Sequence, residues 1–415
     1  MKKVFCLLLC FLMMFSTSFC VSGVEMVVKE DESVVVNNSS VQTAPADNLP
    51  IEIQAKAAVL MEASSGEVLL EYNADERLFP ASVTKIMTML LIAEAIDGNK
   101  ITLADKVTCS ANAASKGGSQ IWLEEGETMT VDELLRATAI GSANDAATLL
   151  GEYIAGSEQG FIDMMNTRAK ELGMVNTCFE NATGLDDTTD THLTTARDIG
   201  IMSVELLKHD FITDYTTVWM DSLRNGETEL VNTNKLVRFY PGTTGLKTGT
   251  TAKAGCCVSA SAKRDGLHLV AVVMGSSTSD ERFNSAKALL NWGFSNYAYY
   301  KPEIDTTAIQ KITVQKGKAD FVETEIPDIP SMALKKGEET GVVVKIEIDD
   351  NLIAPVEIGQ TLGVIIIETP SKKIFEYKIK AKEEVEKLSF FDCVVKVMNF
   401  IANGKKEYPQ DAADT

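Results

Sequence analysis

The pattern of hydrophobic and polar positions divides the chain into segments with different predicted structures. Short apolar or alternating runs predict an early strand pair over about 56–72 and further strands over 244–275. Between them, residues 82–215 carry helical patterns, and another helix is predicted from about Ser279. From Ile309 to Lys380 the chain returns to short alternating runs. This order predicts an antiparallel sheet with helices on both faces, followed by a small all-β domain.

The N-terminal segment differs in composition from the rest of the chain. Two lysines precede an apolar run and small residues that end at Gly23, which predicts a secretory signal peptide over residues 1–23. Lipidation at Cys20 is the alternative, and the bulky Phe19 before it argues against it. Residues 24–50 are acidic and polar, so they are predicted to form a solvated linker without a core.

The C-terminal segment, residues 386–403, is predicted to form an amphipathic helix. Its apolar face, about 14 residues long, is too short to span a bilayer, so it is predicted to lie in the membrane interface. Docking of the same face on the protein core is the alternative. Residues 404–415 form a polar tail. The apolar positions are Leu388, Phe390, Phe391, Val394, Val395, Val397, Met398 and Ile401.

Composition narrows the function classes. The formal net charge of -20 argues against nucleic acid as a partner, because phosphates require clustered Lys and Arg. The cysteines after the signal segment show no C-x-x-C spacing and are predicted to be core thiols, although a bridge between Cys109 and Cys178 stays open. The 3 histidines form no H-E-x-x-H motif and are predicted to be structural, so no metal or cofactor is expected. No G-x-S-x-G elbow occurs either.

Three short strings carry the candidate chemistry. They are Ser-Val-Thr-Lys at 82–85, Ser-Ala-Asn at 142–144 and Lys-Thr-Gly at 247–249, in that order. Each string is common by itself. Together they supply a nucleophile, a base, a proton shuttle and an anion site, so their combination predicts an enzyme of acyl transfer.

Ser82 is the candidate nucleophile. It precedes an apolar stretch, 86–96, that lacks Gly and Pro, so a helix is predicted to start at Ser82. Residues three apart share a helix face, which brings the Lys85 amine within reach of the Ser82 hydroxyl. A lysine can take that proton only when neutral; the helix start, burial and a second cation, for which Lys247 is the candidate, all lower its pKa. The alternative is a capping serine and an exposed lysine.

The second string is predicted to lie between two helices. Thr130 and Glu133 match a capping box, and the helix that begins there ends just before Ser142. A second helix is predicted over about 144–156. Ser142 and Asn144 therefore project from an interhelical turn, where polar side chains can face a cleft. Two ordinary capping residues are the alternative.

The third string is predicted to lie on a strand that precedes two apolar runs joined by Asp265-Gly266, a hairpin signal. Gly249 leaves the flank of the strand open, so a substrate backbone can lie along it. Lys247 and the hydroxyls of Thr248 and Thr250 would hold a carboxylate. A Lys-Thr-Gly turn without a ligand is the alternative.

With these motifs the sequence resembles the serine-type D-Ala-D-Ala carboxypeptidases (peptidase S11 type) among the low-molecular-mass penicillin-binding proteins. The resemblance covers roughly residues 50–385, and residues 117–120 are similar to sporulation-associated members. Besides the three strings it rests on Val59-Leu60-Met61, Glu67 to Tyr72, Phe79-Pro80-Ala81, Gly117-Gly118-Ser119-Gln120, Asn181-Ala182-Thr183-Gly184-Leu185, His192 to Ala196 and Thr244-Gly245-Leu246.

The resemblance implies a role for each site residue. Ser82 would attack the carbonyl between the two D-alanines of a peptidoglycan stem peptide while Lys85 accepts its proton. Ser142 would relay a proton to the leaving amine, and Asn144 would bind the peptide and hold Lys85. The backbone N–H groups of Ser82 and Thr250 would form the oxyanion hole.

The carboxylate grip on the third string also follows from the resemblance, with Lys247, Thr248, Gly249 and Thr250 as the substrate-binding residues. Penicillins would acylate the same serine. Two positions depart from the family pattern: Thr250 stands where many relatives carry His or an aromatic residue, and Ala182 where many carry Pro. The first departure bears on substrate preference.

The implied architecture is α+β, a serine β-lactamase/transpeptidase-like domain over 51–298, a β-sandwich-like domain over 305–382 and the amphipathic helix. The implied location is the extracytoplasmic face of the bacterial cell membrane, with the C-terminal helix on its surface. Three other functions share the motifs: a class A β-lactamase, for which no E-x-x-L-N setting occurs between Ser142 and Lys247, a DD-endopeptidase, and a penicillin-binding sensor without turnover.

Overall fold

The computed structural model describes residues 49–349 and 351–403. The predicted signal peptide, nearly all of the predicted linker and the polar tail lie outside the described residues. The elements below are numbered in chain order.

The strands belong to two separate regions of the chain. Those of the first region are β1 Ala57–Glu62, β2 Val68–Tyr72, β3 Lys106–Thr108, β4 Thr128–Thr130, β5 Met220–Leu223, β6 Thr228–Val231, β7 Thr243–Thr251, β8 Gly255–Arg264, β9 Leu267–Ser276 and β10 Tyr297–Tyr300. Those of the second are β11 Lys311–Thr313, β12 Phe321–Glu325, β13 Met332–Lys335, β14 Val343–Ile348, β15 Thr361–Glu368 and β16 Ile374–Ala381.

The helices lie mainly between β2 and β7. They are α1 Lys85–Asp97, α2 Ala111–Ala114, α3 Val131–Ala139, α4 Asn144–Ala155, α5 Glu158–Glu171, α6 Ala196–Leu206, α7 Thr213–Thr216, α8 Leu236–Phe239, α9 Ser279–Asn296 and α10 Phe390–Asn403.

The main sheet has the strand order β2-β1-β9-β8-β7, and its neighbours pair antiparallel. Its central strands β1, β9 and β8 are buried on both faces because alternate residues enter two hydrophobic cores. Val59 and Val272 join the core under the helices that follow β2, whereas Leu60 and Val273 join the core under α9. The predicted antiparallel sheet with helices on both faces is confirmed.

The helix after Ser82 starts differently from the prediction. Residues Ala81–Thr84 form a 3-10 turn, and α1 follows directly from Lys85. Thr84 is the N-cap residue of α1, so the alternative reading of Ser82 as a helix cap is wrong. Ala81 has φ +48°, a left-handed conformation that costs a non-glycine residue free energy and is common next to functional sites.

The two helices around the second string match their predicted bounds within a residue or two. The Thr130 side chain accepts a hydrogen bond from the Glu133 backbone, and the Glu133 carboxylate reaches back to the Thr130 backbone, so the capping box is present. The next helix, α4, begins at Asn144 and ends before Gly156, which has the left-handed φ typical of a C-terminal cap. Ser142 therefore lies in the predicted interhelical turn.

The second region is built on a five-stranded sheet with the order β11-β12-β16-β15-β14. Its pairs are antiparallel, and its alternating residues enter two further hydrophobic clusters. The pair β10–β13 connects the two regions. This β-rich domain agrees with the predicted all-β module.

The last helix, α10, keeps its apolar side chains exposed. Phe390 and Phe391 are 79% and 78% exposed, and Ile401 is 71% exposed. The Lys396 amine contacts the Asp320 carboxylate at 2.6 Å, so the polar side of the helix lies towards the β-rich domain. Docking of the apolar face on the core, the alternative reading, is therefore wrong. Among the helices of residues 49–349 and 351–403, none combines the length and the hydropathy that a membrane span requires.

The described cysteines are all free thiols. Cys109, Cys256 and Cys257 are buried, as predicted for core thiols. Cys178 is half-buried and Cys393 is exposed on α10, so the prediction is wrong for Cys393. The bridge between Cys109 and Cys178 that the sequence left open is not formed.

The capping box of α3 gives a stability prediction. We expect Thr130→Ala to lower the free energy of unfolding by about 1 kcal/mol, because the Glu133 N–H loses its acceptor. Thr128→Ala, at an exposed position of the same strand, is the control and should change it much less. Denaturant unfolding measures both, and equal effects in the two variants would contradict the capping role.

Candidate active site

Ser82 lies where three segments approach one another closely. A side chain on Gly249 of β7 would place its Cβ 2.7 Å from the Ser82 backbone nitrogen and 2.8 Å from the Pro80 oxygen, so only glycine allows the strand this near. Gly184 has φ +85°, and any Cβ there would collide with the Ala81 backbone. The backbone of Ser82 is thus held between the edge strand and a loop.

The Lys85 amine is fully buried and reaches three polar atoms. Its Nζ lies 3.0 Å from Ser82 Oγ, 2.6 Å from Asn144 Oδ1 and 3.0 Å from the Thr183 carbonyl oxygen. An uncharged amine has two N–H donors and one lone pair. The Asn144 and Thr183 oxygens can only accept hydrogen bonds, so they take the two donors and the lone pair remains for the Ser82 hydroxyl.

Burial lowers the pKa of Lys85 well below its ordinary value. The nearby cation of Lys247 lowers the pKa further, and the carboxylate of Asp145 opposes both effects. The predicted depression of the Lys85 pKa, with Lys247 as the second cation, agrees with this direction. Burial and the Lys247 charge therefore favour the uncharged amine, the form whose lone pair can take the Ser82 proton.

Asn144 links the second string to two other segments. Its Nδ2 donates to the Gly117 carbonyl at 2.6 Å, and its backbone N–H donates to the Ser119 carbonyl at 2.6 Å. Ser142, two residues earlier, is buried and has φ +60°. The turn between α3 and α4 thus orients the Asn144 amide between Lys85 and the loop at 117–119.

Asp145 anchors the same loop from the other side. Its carboxylate accepts hydrogen bonds from the backbone N–H of Ile121 at 3.1 and 3.2 Å and of Leu123 at 3.0 Å. Asp145 itself is fully buried. These bonds fix residues 117–123 against the start of α4, a role that its position after Asn144 did not indicate in the sequence.

The third string lies on β7, as predicted. Lys247 is 1% exposed, and its amine donates to the Thr248 carbonyl at 3.1 Å. Burial, with the Arg282 cation as a smaller cause, lowers the pKa of Lys247 to about 7. The Thr248 hydroxyl bonds Thr233 at 2.7 Å, and the Thr250 hydroxyl bonds the Gly249 carbonyl at 2.8 Å.

Arg282 is a residue at this strand that the sequence analysis missed. It is 5% exposed, and its Nη1 donates to the Gly249 carbonyl at 3.1 Å, the Thr250 hydroxyl at 3.2 Å and the Cys257 carbonyl at 3.2 Å. Among the described residues it has no carboxylate partner, and its Nε has no hydrogen-bond acceptor. No spacing signal in the first turn of α9 distinguished this arginine from an exposed one.

The loop that carries Thr183 is held by its own asparagine and by a histidine. Asn181 Oδ1 accepts hydrogen bonds from the backbone N–H of Thr183 at 3.1 Å and of Gly184 at 2.7 Å. His192 Nδ1 accepts from the Glu180 N–H at 3.1 Å, so Nε2 carries the proton that reaches the Thr84 hydroxyl at 2.9 Å. Only the family resemblance had indicated this segment.

The buried histidines have the structural character predicted for them. Burial lowers the pKa of His192 and of His268 to about 4, so both are neutral. His268 bonds the Thr244 hydroxyl at 2.8 Å, and the ring of His209 contacts Asp97 at 2.5 Å. In the part of the chain that the structure describes, no group of His, Cys, Asp and Glu could hold a metal ion.

The geometry brings part of the predicted site together. Ser82, Lys85 and Asn144 form one hydrogen-bonded group, and Lys247 is near enough to Lys85 to shift its pKa. Such a group can deprotonate a hydroxyl beside a strand edge and two buried cations. These groups suit the attack of a serine hydroxyl on a carbonyl carbon in a substrate that has a negatively charged group nearby.

Comparisons with known proteins agree with this chemistry. Residues 40–278 match the family model described as D-alanyl-D-alanine carboxypeptidase, and residues 301–387 match the C-terminal domain of penicillin-binding protein 5. The chain is 45% identical over 349 residues to the D-alanyl-D-alanine carboxypeptidase DacF of Bacillus subtilis, covering 83% of this chain and 89% of the relative. It is 34% identical to DacC of Escherichia coli over 348 residues, covering 82% and 86%.

Solved structures resemble it as well. Penicillin-binding protein 5 of Haemophilus influenzae is similar with a TM-score of 0.72 and 29% identity, covering 82% of this chain and 100% of that one. Penicillin-binding protein D2 of Listeria monocytogenes, solved in an ampicillin-bound form, is similar with a TM-score of 0.55 and 32% identity, covering 59% and 100%.

The electrostatic coupling between the two lysines can be measured. We expect Lys247→Gln to raise the pKa of Lys85, because the substitution removes the cation that disfavours the charged amine. An NMR titration of isotope-labelled lysine side chains measures this pKa. Lys253→Gln is the control, since its amine is exposed and pairs with Asp190. A Lys85 that titrates at its ordinary pKa in the unsubstituted protein would refute the assignment.

Proposed function

Because the chain belongs to the D-alanyl-D-alanine carboxypeptidase family, we propose that it removes the terminal D-alanine of peptidoglycan stem pentapeptides through an acyl-enzyme on Ser82. The observation that carries the proposal is the buried Lys85 amine, whose Nζ lies 2.6 Å from Asn144 Oδ1, 3.0 Å from the Thr183 carbonyl oxygen and 3.0 Å from Ser82 Oγ. In its uncharged form this amine gives its two donors to Asn144 and Thr183 and keeps its lone pair for the Ser82 hydroxyl.

Acylation begins with the proton of the Ser82 hydroxyl. Lys85 accepts it as Oγ forms a bond to the carbonyl carbon of the penultimate D-alanine. The developing oxyanion is stabilised by the backbone N–H groups of Ser82 and Thr250, which belong to the two segments that Gly249 allows to approach. Loss of one such donor costs about a hundredfold to a thousandfold in kcat at comparable sites.

The leaving group departs when the peptide C–N bond breaks. Its amine needs a proton, which passes from the Lys85 ammonium through the Ser142 hydroxyl, and free D-alanine is released. Water then attacks the acyl-enzyme while Lys85 again accepts a proton. Ser82 regains its hydrogen as the shortened peptide leaves, so the base and the nucleophile return to their starting forms.

The terminal carboxylate of the substrate fits the cations along β7. In this proposal Lys247, Thr248 and Thr250 contact the carboxylate, and the Arg282 guanidinium, which donates to the Thr250 hydroxyl, adds a second buried positive charge behind them. Buried charges are costly unless they are paired. A carboxylate at this position would provide the missing partner, which favours a substrate with a free C-terminus.

Asn144 has two tasks in this proposal. Its Oδ1 accepts a hydrogen bond from the Lys85 amine. Its Nδ2 donates to the Gly117 carbonyl, and this bond fixes the amide group beside the bound peptide. The same constellation would take a β-lactam ring in place of the peptide, which makes covalent inhibition by penicillins part of the proposal.

We propose the extracytoplasmic face of the cell membrane as the location. The predicted signal peptide would export the chain, and the exposed apolar face of α10 would lie in the membrane interface. The β-rich domain then separates the cleft from the bilayer, which brings Ser82 towards the peptidoglycan.

A peptide assay tests the reaction. The purified protein should release D-alanine from a stem pentapeptide and form a covalent adduct with a labelled penicillin. Ser82→Ala should abolish both signals, because each needs the same oxygen atom. Ser65→Ala, another serine of the catalytic domain, is the control. Stable penicillin adducts without D-alanine would favour the sensor, and cleavage of cross-linked peptides alone would favour the endopeptidase.

Truncation tests the membrane contact. We expect a chain that ends after Glu386 to move into the soluble fraction of a cell lysate, because it lacks the apolar face of α10. A chain that ends after Asn403 retains the helix and should stay with the membrane fraction. Retention of both truncated chains on the membrane would contradict the role of α10.

A further inference from the structure

Trp122 has an unusual combination of exposure and backbone conformation. Its side chain is 74% exposed, although its neighbours Ile121 and Leu123 are 3% and 4% exposed. Its φ is +58°, a left-handed conformation that is rare for a bulky residue. Because the indole is exposed, it adds little hydrophobic stabilisation, and the left-handed backbone conformation costs free energy. The arrangement therefore does not stabilise the fold.

The surroundings hold Trp122 in this conformation. The buried Asp145 carboxylate binds the backbone N–H on either side of the residue, at Ile121 and Leu123. The guanidinium of Arg224 binds the Ile121 carbonyl at 2.8 Å and forms an ion pair with Glu127. The indole is therefore presented to solvent from a rigid loop.

This loop is hydrogen-bonded directly to the candidate active-site residue Asn144. Residues 117 and 119 accept the hydrogen bonds of Asn144, whose Oδ1 contacts the Lys85 amine at 2.6 Å. Consecutive Cα atoms lie about 3.8 Å apart, so the Trp122 backbone is on the order of 10–15 Å from that amine. When the scissile bond of a bound peptide lies at Ser82, the side chain of a residue just before that bond is long enough to reach Trp122.

The local charge favours a cationic side chain. Glu124 and Glu125 are exposed, and no ion pair involves either of them among residues 49–349 and 351–403. The Arg224 cation is already neutralised by Glu127. Tryptophan is the aromatic residue that attracts an ammonium group most strongly, and its ring also packs against methylene groups.

We propose that Trp122 forms a substrate subsite for an amine-bearing side chain on the residue that precedes the two D-alanines of the substrate peptide. The indole face covers the methylene chain and the ammonium of that residue. The inference rests on the proposed carboxypeptidase function for the direction of the substrate. It assigns Trp122 to substrate selection, outside the proton transfers at Ser82 and Lys85.

Two tripeptides test the subsite in the full-length protein: Nα-acetyl-Lys-D-Ala-D-Ala with a free side-chain amine, and its Nα,Nε-diacetyl form without that charge. We expect a lower KM for the free amine. Trp122→Ala should raise that KM about five- to tenfold at constant kcat, and should change KM for the diacetyl peptide less than twofold. Trp122→Phe should keep part of the preference.

The matched control is Phe321→Ala, which removes an exposed aromatic residue from the β-rich domain and should leave both KM values unchanged. Equal changes for the two peptides in Trp122→Ala, or a change in kcat alone, would overturn the proposal. So would a Trp122→Phe variant as impaired as Trp122→Ala.

A binding measurement separates this inference from the proposed reaction. Calorimetry with the Ser82→Ala protein needs no turnover, and the free-amine peptide should bind more tightly than the diacetyl peptide. The additional Trp122→Ala change should abolish the difference. If no D-alanine is released yet this difference is found, the reaction fails and the subsite stands. If D-alanine is released without any difference, the subsite alone fails.

Discussion

The site depends on one constraint, an amine that is fully buried and must remain able to lose its charge. Lys85 lies beneath Ser82 with its polar contacts limited to one hydroxyl, one amide oxygen and one carbonyl oxygen. A permanently charged ammonium would lack a carboxylate at hydrogen-bond distance there, and burial makes that form costly. The fold therefore favours the protonation state that leaves a lone pair for the serine.

The surrounding segments approach Ser82 and Lys85 closely enough to place their polar atoms around the amine. The glycine at 249 allows the edge strand to approach the Ser82 backbone, and the glycine at 184 allows the loop carrying the Thr183 carbonyl to approach Ala81. The turn between α3 and α4 brings Asn144 to the same amine. Close packing of backbone against backbone leaves little freedom, so the polar atoms are positioned before a substrate arrives.

A second theme is positive charge buried inside an acidic protein. The chain has a formal net charge of -20, yet Lys247 and Arg282 are both buried at β7. Lys247 lowers the pKa of Lys85, and Arg282 lowers the pKa of Lys247. Buried positive charges that are this close raise the free energy of the folded protein when no anion is bound. They stabilise a bound carboxylate most strongly because that ligand pairs charges already stripped of water. The cost in the free protein is consistent with a site built for an anionic peptide terminus.

The sequence by itself determined the elements and the identity of the main chemical groups. Period-two and helical patterns located the strands at 244–275 and the helices around 130–156, because side-chain periodicity is a local property. The order of the three strings indicated the candidate nucleophile, the candidate base and the candidate anion site. Tertiary structure alone decided which atoms meet. The Thr183 carbonyl, the Asp145 anchor, the buried Arg282 and the exposed Trp122 became visible only when distant segments were packed together. Burial and hydrogen-bond partners are properties of the folded chain and leave no spacing in the sequence.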